Sequence, residues 1–262
     1  MLEQGSLYQD NDHALFKALI STRAVKVLKT LKMEDLDGLE RLFYGMKHQL
    51  DAQLIDECIR KGILIECEGR AEFSSPIMWR YFVKMRVGHI ERAVYGPKTL
   101  QEMIARVIRA INYDSIRETL GRTLSNDIPL ERAWQMEFYK ASYRCTPSSC
   151  VTSADVGALF GSTEFIDFTV HCGDDFWGIE LLRDGSNLDE HIDRFAPGGP
   201  YSLLQLSDYC LVDFRRVSSM GDMTMSTITL DLNHCAKLYV VCYDPTLAHV
   251  SILNAQSVWN IL

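Results

Sequence analysis

The chain has 262 residues, of which 47% are hydrophobic and 24% are charged, so it can form one large domain or two modest ones. No apolar run approaches the roughly 18 residues of a membrane span, so we expect none. The formal net charge is −8. Residues 1–95 carry 14 basic and 14 acidic residues, whereas residues 96–262 carry 13 and 21. Because affinity for a nucleic-acid backbone comes largely from Lys and Arg, this acidity weakens a nucleic-acid-binding hypothesis without excluding it.

The eight cysteines include no C-x-x-C pair, and several lie in apolar, strand-like runs. We therefore expect reduced, buried thiols in a cytosolic or nuclear compartment. The first residues are polar and acidic, which is not typical of a secretory signal.

Residues 1–95 predict a winged-helix-like module. The expected elements are helices over 11–31, 34–47 and 51–61, followed by short strands at 63–67 and 71–73. Asn11 or Asp12 can cap the first helix, and Gly62 ends the third. The third helix often reads DNA in this fold, but here it carries three acids and two bases. A packing or partner-binding role is therefore favoured over DNA reading.

Residues 96–262 predict a second domain, which begins after a hinge at 95–97. A long helix is expected from Leu100 to about Leu120, with arginines near one side that can contact phosphates. The remaining elements are a helix over 131–143, strands near 149–153, 163–171 and 175–182, a helix from Asn187 or Asp189 to Phe195, and strands near 207–214, 226–232, 237–243 and 248–253. This order predicts a mixed β-sheet flanked by helices.

Three acidic residues form the candidate catalytic centre. Asp167 and Glu180 each interrupt an apolar strand, and they are 13 residues apart around a turn, so an antiparallel hairpin can place both side chains on one face. Two bare carboxylates about 4 Å apart repel by roughly 4 kcal/mol at an effective dielectric of about 20. Mg²⁺ or Mn²⁺ would remove that cost, and Glu137 on the preceding helix is the third candidate ligand. The alternative is that either acid simply pairs with an arginine.

Several strings resemble the C-terminal domain of Crinkler-type effectors. They are Trp134–Tyr139, Ile166–Phe168, Trp177–Gly185, Glu190-His191 with Arg194-Phe195, and Asp208-Tyr209 with Val212–Arg215. The resemblance covers residues 60–262 and implies a restriction-endonuclease-like fold of the PD-(D/E)xK superfamily that acts on DNA in a host nucleus. It also implies that Glu137 is the first-helix acid, that Asp167 is the central metal ligand, and that Glu180 is the acid of the D…ExK pair.

The chain departs from that pattern at the position of its usual lysine. Leu182 stands two residues beyond Glu180, and no lysine occurs between Lys140 and Lys237. Arg183, His191 or Arg194 would then have to polarise the attacking water or hold the phosphate. We expect His191 to do so. The N-terminal targeting header and the NTPase region of Crinkler-type proteins have no counterpart in this sequence.

Two functions are consistent with these features. The first is a metal-dependent DNA endonuclease, secreted as an effector or toxin and acting in the host nucleus or cytoplasm. Its contacts with double-stranded DNA would come from Arg106, Arg109, Arg117, Arg183 and Arg194. The second is a catalytically inactive nuclease-fold module that binds a host protein, which the missing lysine and the acidic C-terminal part favour.

Overall fold

A computed structural model describes residues 19, 21–43, 51–67, 69–87, 91–120, 131–156, 164–217 and 222–261. The protein is a mixed α+β chain that divides into two compact units, residues 1–89 and 90–262. The sequence predicted the boundary after residue 95. In the described ranges, no helix combines the length and the apolar character needed to cross a membrane.

The described residues of the smaller unit form four helices and one antiparallel strand pair. Its elements are α1 (Arg23–Leu28), α2 (Met33–Phe43), α3 (Ala52–Arg60), β1 (Leu64–Cys67), β2 (Arg70–Phe73) and α4 (Pro76–Val87). Thr22 caps α1, so the described helix begins there, while the predicted caps Asn11 and Asp12 lie outside the described residues. Asp51 caps α3, and Gly62, with φ of +78°, follows its end. Buried Val25, Leu28, Leu39 and Phe82 form the core of the unit.

The larger unit is built on a seven-stranded mixed sheet in the order β3 to β9. Its helices are α5 (Leu100–Ala110), α6 (Tyr113–Arg117), α7 (Glu131–Cys145), α8 (Leu188–Arg194) and α9 (Asp222–His234). Its strands are β3 (Val151–Val156), β4 (Ile166–Cys172), β5 (Asp175–Arg183), β6 (Asp208–Arg216), β7 (Leu238–Tyr243), β8 (Val250–Leu253) and β9 (Val258–Asn260). The pairs β5–β6 and β6–β7 are parallel, and the other four pairs are antiparallel.

Helices cover both faces of this sheet. On one face, Trp134 of α7 stacks on Phe214 with ring centroids 4.1 Å apart, and Phe138 packs against Phe168. Because side chains alternate along a strand, the neighbours of these residues point to the other face. On that face, Leu182 packs in one cluster with apolar residues of α8 and α9, including Leu188.

Two predicted elements of the larger unit are wrong. Residues 226–232 lie in helix α9 and not in a strand. The parallel pair β6–β7 requires a crossover, which a helix usually supplies, and α9 is that helix. The long helix expected from Leu100 to Leu120 is broken after Ala110. Ile111 has extended ψ, and the Asn112 side chain accepts a hydrogen bond from Ser115 N to start α6.

Candidate active site

The centre of the site is a pair of carboxylates at the open end of the β4–β5 hairpin. The backbone register pairs Phe168 with Ile179, so Asp167 and Glu180 stand opposite each other at the next position. Each side chain bonds the other strand: Leu181 N donates to Asp167 Oδ2 at 2.7 Å, and Asp167 N donates to Glu180 Oε1 at 3.3 Å. Carboxylates therefore replace backbone carbonyls as acceptors where the hairpin opens.

Glu180 is 2% exposed, and its burial is compensated by hydrogen-bond donors from the protein. The Tyr201 hydroxyl lies 2.7 Å from Oε1 and 2.8 Å from the carbonyl of Phe165. His191 Nδ1 lies 2.8 Å from Oε2, and Arg194 Nη1 lies 3.4 Å from the same oxygen. Burial, and then the charge of Glu180, raise the pKa of Tyr201, so its hydroxyl stays protonated and can donate.

Helix α8 delivers both basic side chains to Glu180. It follows the turn after β5, in which Asp184, Gly185 and Asn187 all have positive φ. His191 and Arg194 are three residues apart and thus share one face of the helix. Burial acts to lower the pKa of Arg194, but hydrogen bonds and charges from Glu190, Tyr201 and Glu180 outweigh it, so the pKa is raised and the guanidinium remains charged.

Helix α7 presents Gln135, and not Glu137, to Asp167. Gln135 Nε2 donates to Asp167 Oδ1 at 3.0 Å and lies 3.3 Å from Glu131 Oε1. Glu137 is directed elsewhere: it accepts hydrogen bonds from Asn112 N at 3.3 Å and from Lys140 Nζ at 2.8 Å. Residues two positions apart on an α-helix are rotated by about 200° from each other, so Gln135 and Glu137 lie on different sides of α7.

The described side chains do not fit the expected Mg²⁺ or Mn²⁺ as they are arranged. Such an ion needs several oxygen ligands with free lone pairs. Both oxygens of Glu180 already accept protein donors, and Glu137 bonds Asn112 and Lys140. Across the described part of the chain, no three His, Cys, Asp or Glu side chains are grouped to hold a metal. Leu182, at the expected lysine position, is 4% exposed and belongs to the core.

The other arginines named as DNA contacts belong to three different elements, α5, α6 and β5. Arg106 of α5 bonds Glu102 on the same helix and the carbonyl of Tyr95 in the segment before it. Arg117 is on the separate helix α6, where it bonds Asp114 and the carbonyls of 246 and 247. Arg109 is exposed, and Arg183 Nε lies 3.9 Å from Asp184. Arg106 and Arg117 therefore already have bonding partners within the chain.

A second buried ionic group lies behind the turn after β5. Asp213 is fully buried; its Oδ2 lies 2.5 Å from Arg215 Nε, and its Oδ1 accepts Gly185 N at 3.1 Å. Arg215 Nη2 is 2.7 Å from Asp231 of α9, as an ion pair outside hydrogen-bond geometry. Burial raises the pKa of Asp213, and Arg215 opposes that effect. A groove of about 570 Å³ lies beside Asp231 and contains none of the carboxylate-pair residues.

A disulfide corrects the expectation that all cysteines are reduced. Cys150 and Cys172 are joined, and six described cysteines remain free. The register pairs Val151 with His171, so Cys150 and Cys172 stand opposite each other at the next position, and the disulfide links β3 to β4 there. Sequence reasoning missed this bond, as it missed Gln135 and Tyr201. Only the strand register would have indicated it.

Comparison of the chain with family models, with curated proteins and with solved structures found no match. The choice between the two functions therefore rests on the geometry of the site and on the resemblance of short sequence motifs to those of Crinkler-type effectors.

Proposed function

We propose that residues 90–262 form a nuclease-type domain, of restriction-endonuclease-like fold, that hydrolyses phosphodiester bonds in DNA. Asp167, Glu180 and His191 would lie at its centre. One observation carries the proposal: the Glu180 carboxylate of β5 is almost fully buried and is contacted by residues of β4 and α8. Burying such a group is costly, and clusters of this kind are concentrated at functional sites. The resemblance to Crinkler-type effectors supports DNA as the substrate.

His191 is the side chain placed to act on the attacking water. A neutral His191 that donates from Nδ1 to Glu180 Oε2, 2.8 Å away, would present a lone pair at Nε2. As a general base, Nε2 takes a proton from water while the water oxygen attacks phosphorus. The bond from phosphorus to the leaving sugar oxygen breaks, and that oxygen takes a proton from solvent. No step is assigned to a metal, because the described side chains do not fit one.

For residues 1–89 we propose a winged-helix-like module that contacts a partner. The order of α1 to α3 and the antiparallel pair β1–β2 supports it. Helix α3 carries acids at 56 and 57, which favours a protein partner over DNA. Action inside a host nucleus or cytoplasm is proposed on the family resemblance alone.

The test is cleavage of supercoiled plasmid by the purified chain in EDTA, Mg²⁺ or Mn²⁺. We expect nicked and linear products from the native protein and a loss of at least about 100-fold in Glu180→Gln and His191→Asn, as for removal of a general base or its orienting group. Asp193→Asn is the matched control, because Asp193 is an exposed carboxylate on the same helix. Intact plasmid under all three conditions, or equal cleavage by Glu180→Gln, would refute the proposal.

A catalytically inactive module that binds a host protein is the second candidate. One observation favours it: both oxygens of Glu180 already have hydrogen-bond partners in the protein, and the position expected to hold the catalytic lysine is occupied by the buried Leu182. DNA binding at low salt separates the two. An inactive protein-binding module should show no salt-dependent affinity for DNA, whereas a nuclease should bind more weakly as salt rises.

A further inference from the structure

Arg194 sits among three carboxylates, and each of its guanidinium nitrogens faces a different one. Nε lies 2.9 Å from Glu164, Nη1 lies 3.4 Å from Glu180, and Nη2 lies 2.8 Å from Glu190. The contact with Glu164 is an ion pair outside hydrogen-bond geometry. A planar guanidinium with five N–H donors can hold several carboxylates along its edges at once.

A divalent cation would need these oxygens in a different arrangement. Mg²⁺ takes its ligands at about 2.0–2.1 Å in a nearly octahedral shell, which draws the oxygens together around one point. The guanidinium instead keeps Glu164, Glu180 and Glu190 apart around a flat group. The positive charge required beside the buried Glu180 is thus already present in the chain.

We propose that Arg194 is the built-in cation of this centre and takes the place that a divalent metal would fill beside Glu180. The native carboxylate pair then binds neither Mg²⁺ nor Mn²⁺ appreciably. Loss of the guanidinium leaves Glu164, Glu180 and Glu190 without the positive charge that each of them faces, so a divalent cation should then bind beside them and offset the excess negative charge. This inference concerns cation binding and stands whether or not the domain cleaves DNA.

Thermal unfolding and titration calorimetry with MnCl₂ and MgCl₂ test it on the full chain. We expect the native midpoint to be the same in EDTA and in millimolar Mn²⁺. We expect Arg194→Met to unfold at a lower temperature in EDTA and to recover by a few degrees at about ten times the dissociation constant for Mn²⁺. Arg194→Lys keeps one charged nitrogen in place of three, so its response to Mn²⁺ should be smaller.

Arg183→Met is the matched control, because Arg183 belongs to β5, the strand that carries Glu180, and its described ion pair is a 3.9 Å contact with Asp184. It should respond to Mn²⁺ as the native chain does. Stabilisation of the native protein by Mn²⁺ that disappears in Asp167→Asn and Glu180→Gln would overturn the inference. So would an Arg194→Met protein that folds and shows no heat of Mn²⁺ binding. If Arg194→Met does not fold, the native titration and Arg194→Lys decide the question.

Discussion

Replacing Tyr201 with Phe removes a single hydroxyl from the carboxylate centre. That hydroxyl lies 2.7 Å from Glu180 Oε1, and Tyr201 is 2% exposed, so water cannot readily replace it. A hydrogen bond to a charged group contributes about 1.5–3 kcal/mol, whereas one to a neutral group contributes about 0.5–1.5 kcal/mol. For a unit of this size, Tyr201→Phe should lower the unfolding midpoint by roughly 3–12 °C.

Tyr113→Phe is the matched comparison. Tyr113 is also buried, but its hydroxyl donates to a neutral carbonyl, Ile108 O, at 2.7 Å. Urea unfolding of both variants should give a loss for Tyr201→Phe that exceeds the loss for Tyr113→Phe by about 1 kcal/mol or more. Equal losses would show that Glu180 is not a buried carboxylate held by charge-assisted bonds, and would refute the account of its burial.

Three further outcomes concern stability. Reducing the Cys150–Cys172 bond, which closes a 22-residue separation, should lower the free energy of unfolding by about 3 kcal/mol. Thiols titratable after unfolding should rise from six to eight on reduction; eight before reduction would contradict the bond. Trp134→Ala should cost about 3–5 kcal/mol in urea unfolding, because Trp134 is buried against Phe214; a loss below about 1 kcal/mol would show that the site is not core. Burial acts to raise the pKa of Asp244, but hydrogen bonds from 246, 248 and 249 outweigh it and lower the pKa to about 2. The ionised Asp244 carboxylate therefore stabilises the fold fully above its ordinary pKa of 3.8, and this stabilisation is lost as pH falls towards 2. Asp244→Asn should reduce the slope of the free energy of unfolding against pH in that range. An unchanged slope would contradict this.

The sequence predicted the features that depend on local spacing. The distance of 13 residues around a turn led to a hairpin in which Asp167 and Glu180 are opposed, and the register has that geometry. Three-residue spacing placed His191 and Arg194 on one helix face. Alternation along β5 also explains why Leu182 enters the core when it stands at the expected lysine position.

Features that depend on distant segments could not be predicted in the same way. The β-branched run within 222–234 favours a strand locally, but the crossover between β6 and β7 makes it a helix. Tyr201 reaches Glu180 from a loop 21 residues away, and nothing in its neighbours indicates that contact. Helical periodicity of α7 would have separated Gln135 from Glu137, but which side faces Asp167 depends on how the helix packs.

The most direct measurement is a crystal structure of the protein grown with Mn²⁺, with diffraction recorded at the manganese absorption edge. Our account predicts no anomalous peak at the carboxylate pair, and a guanidinium of Arg194 between Glu164, Glu180 and Glu190. It also predicts His191 Nδ1 within hydrogen-bond distance of Glu180. A manganese ion bound to both Asp167 and Glu180, with Arg194 displaced, would contradict it.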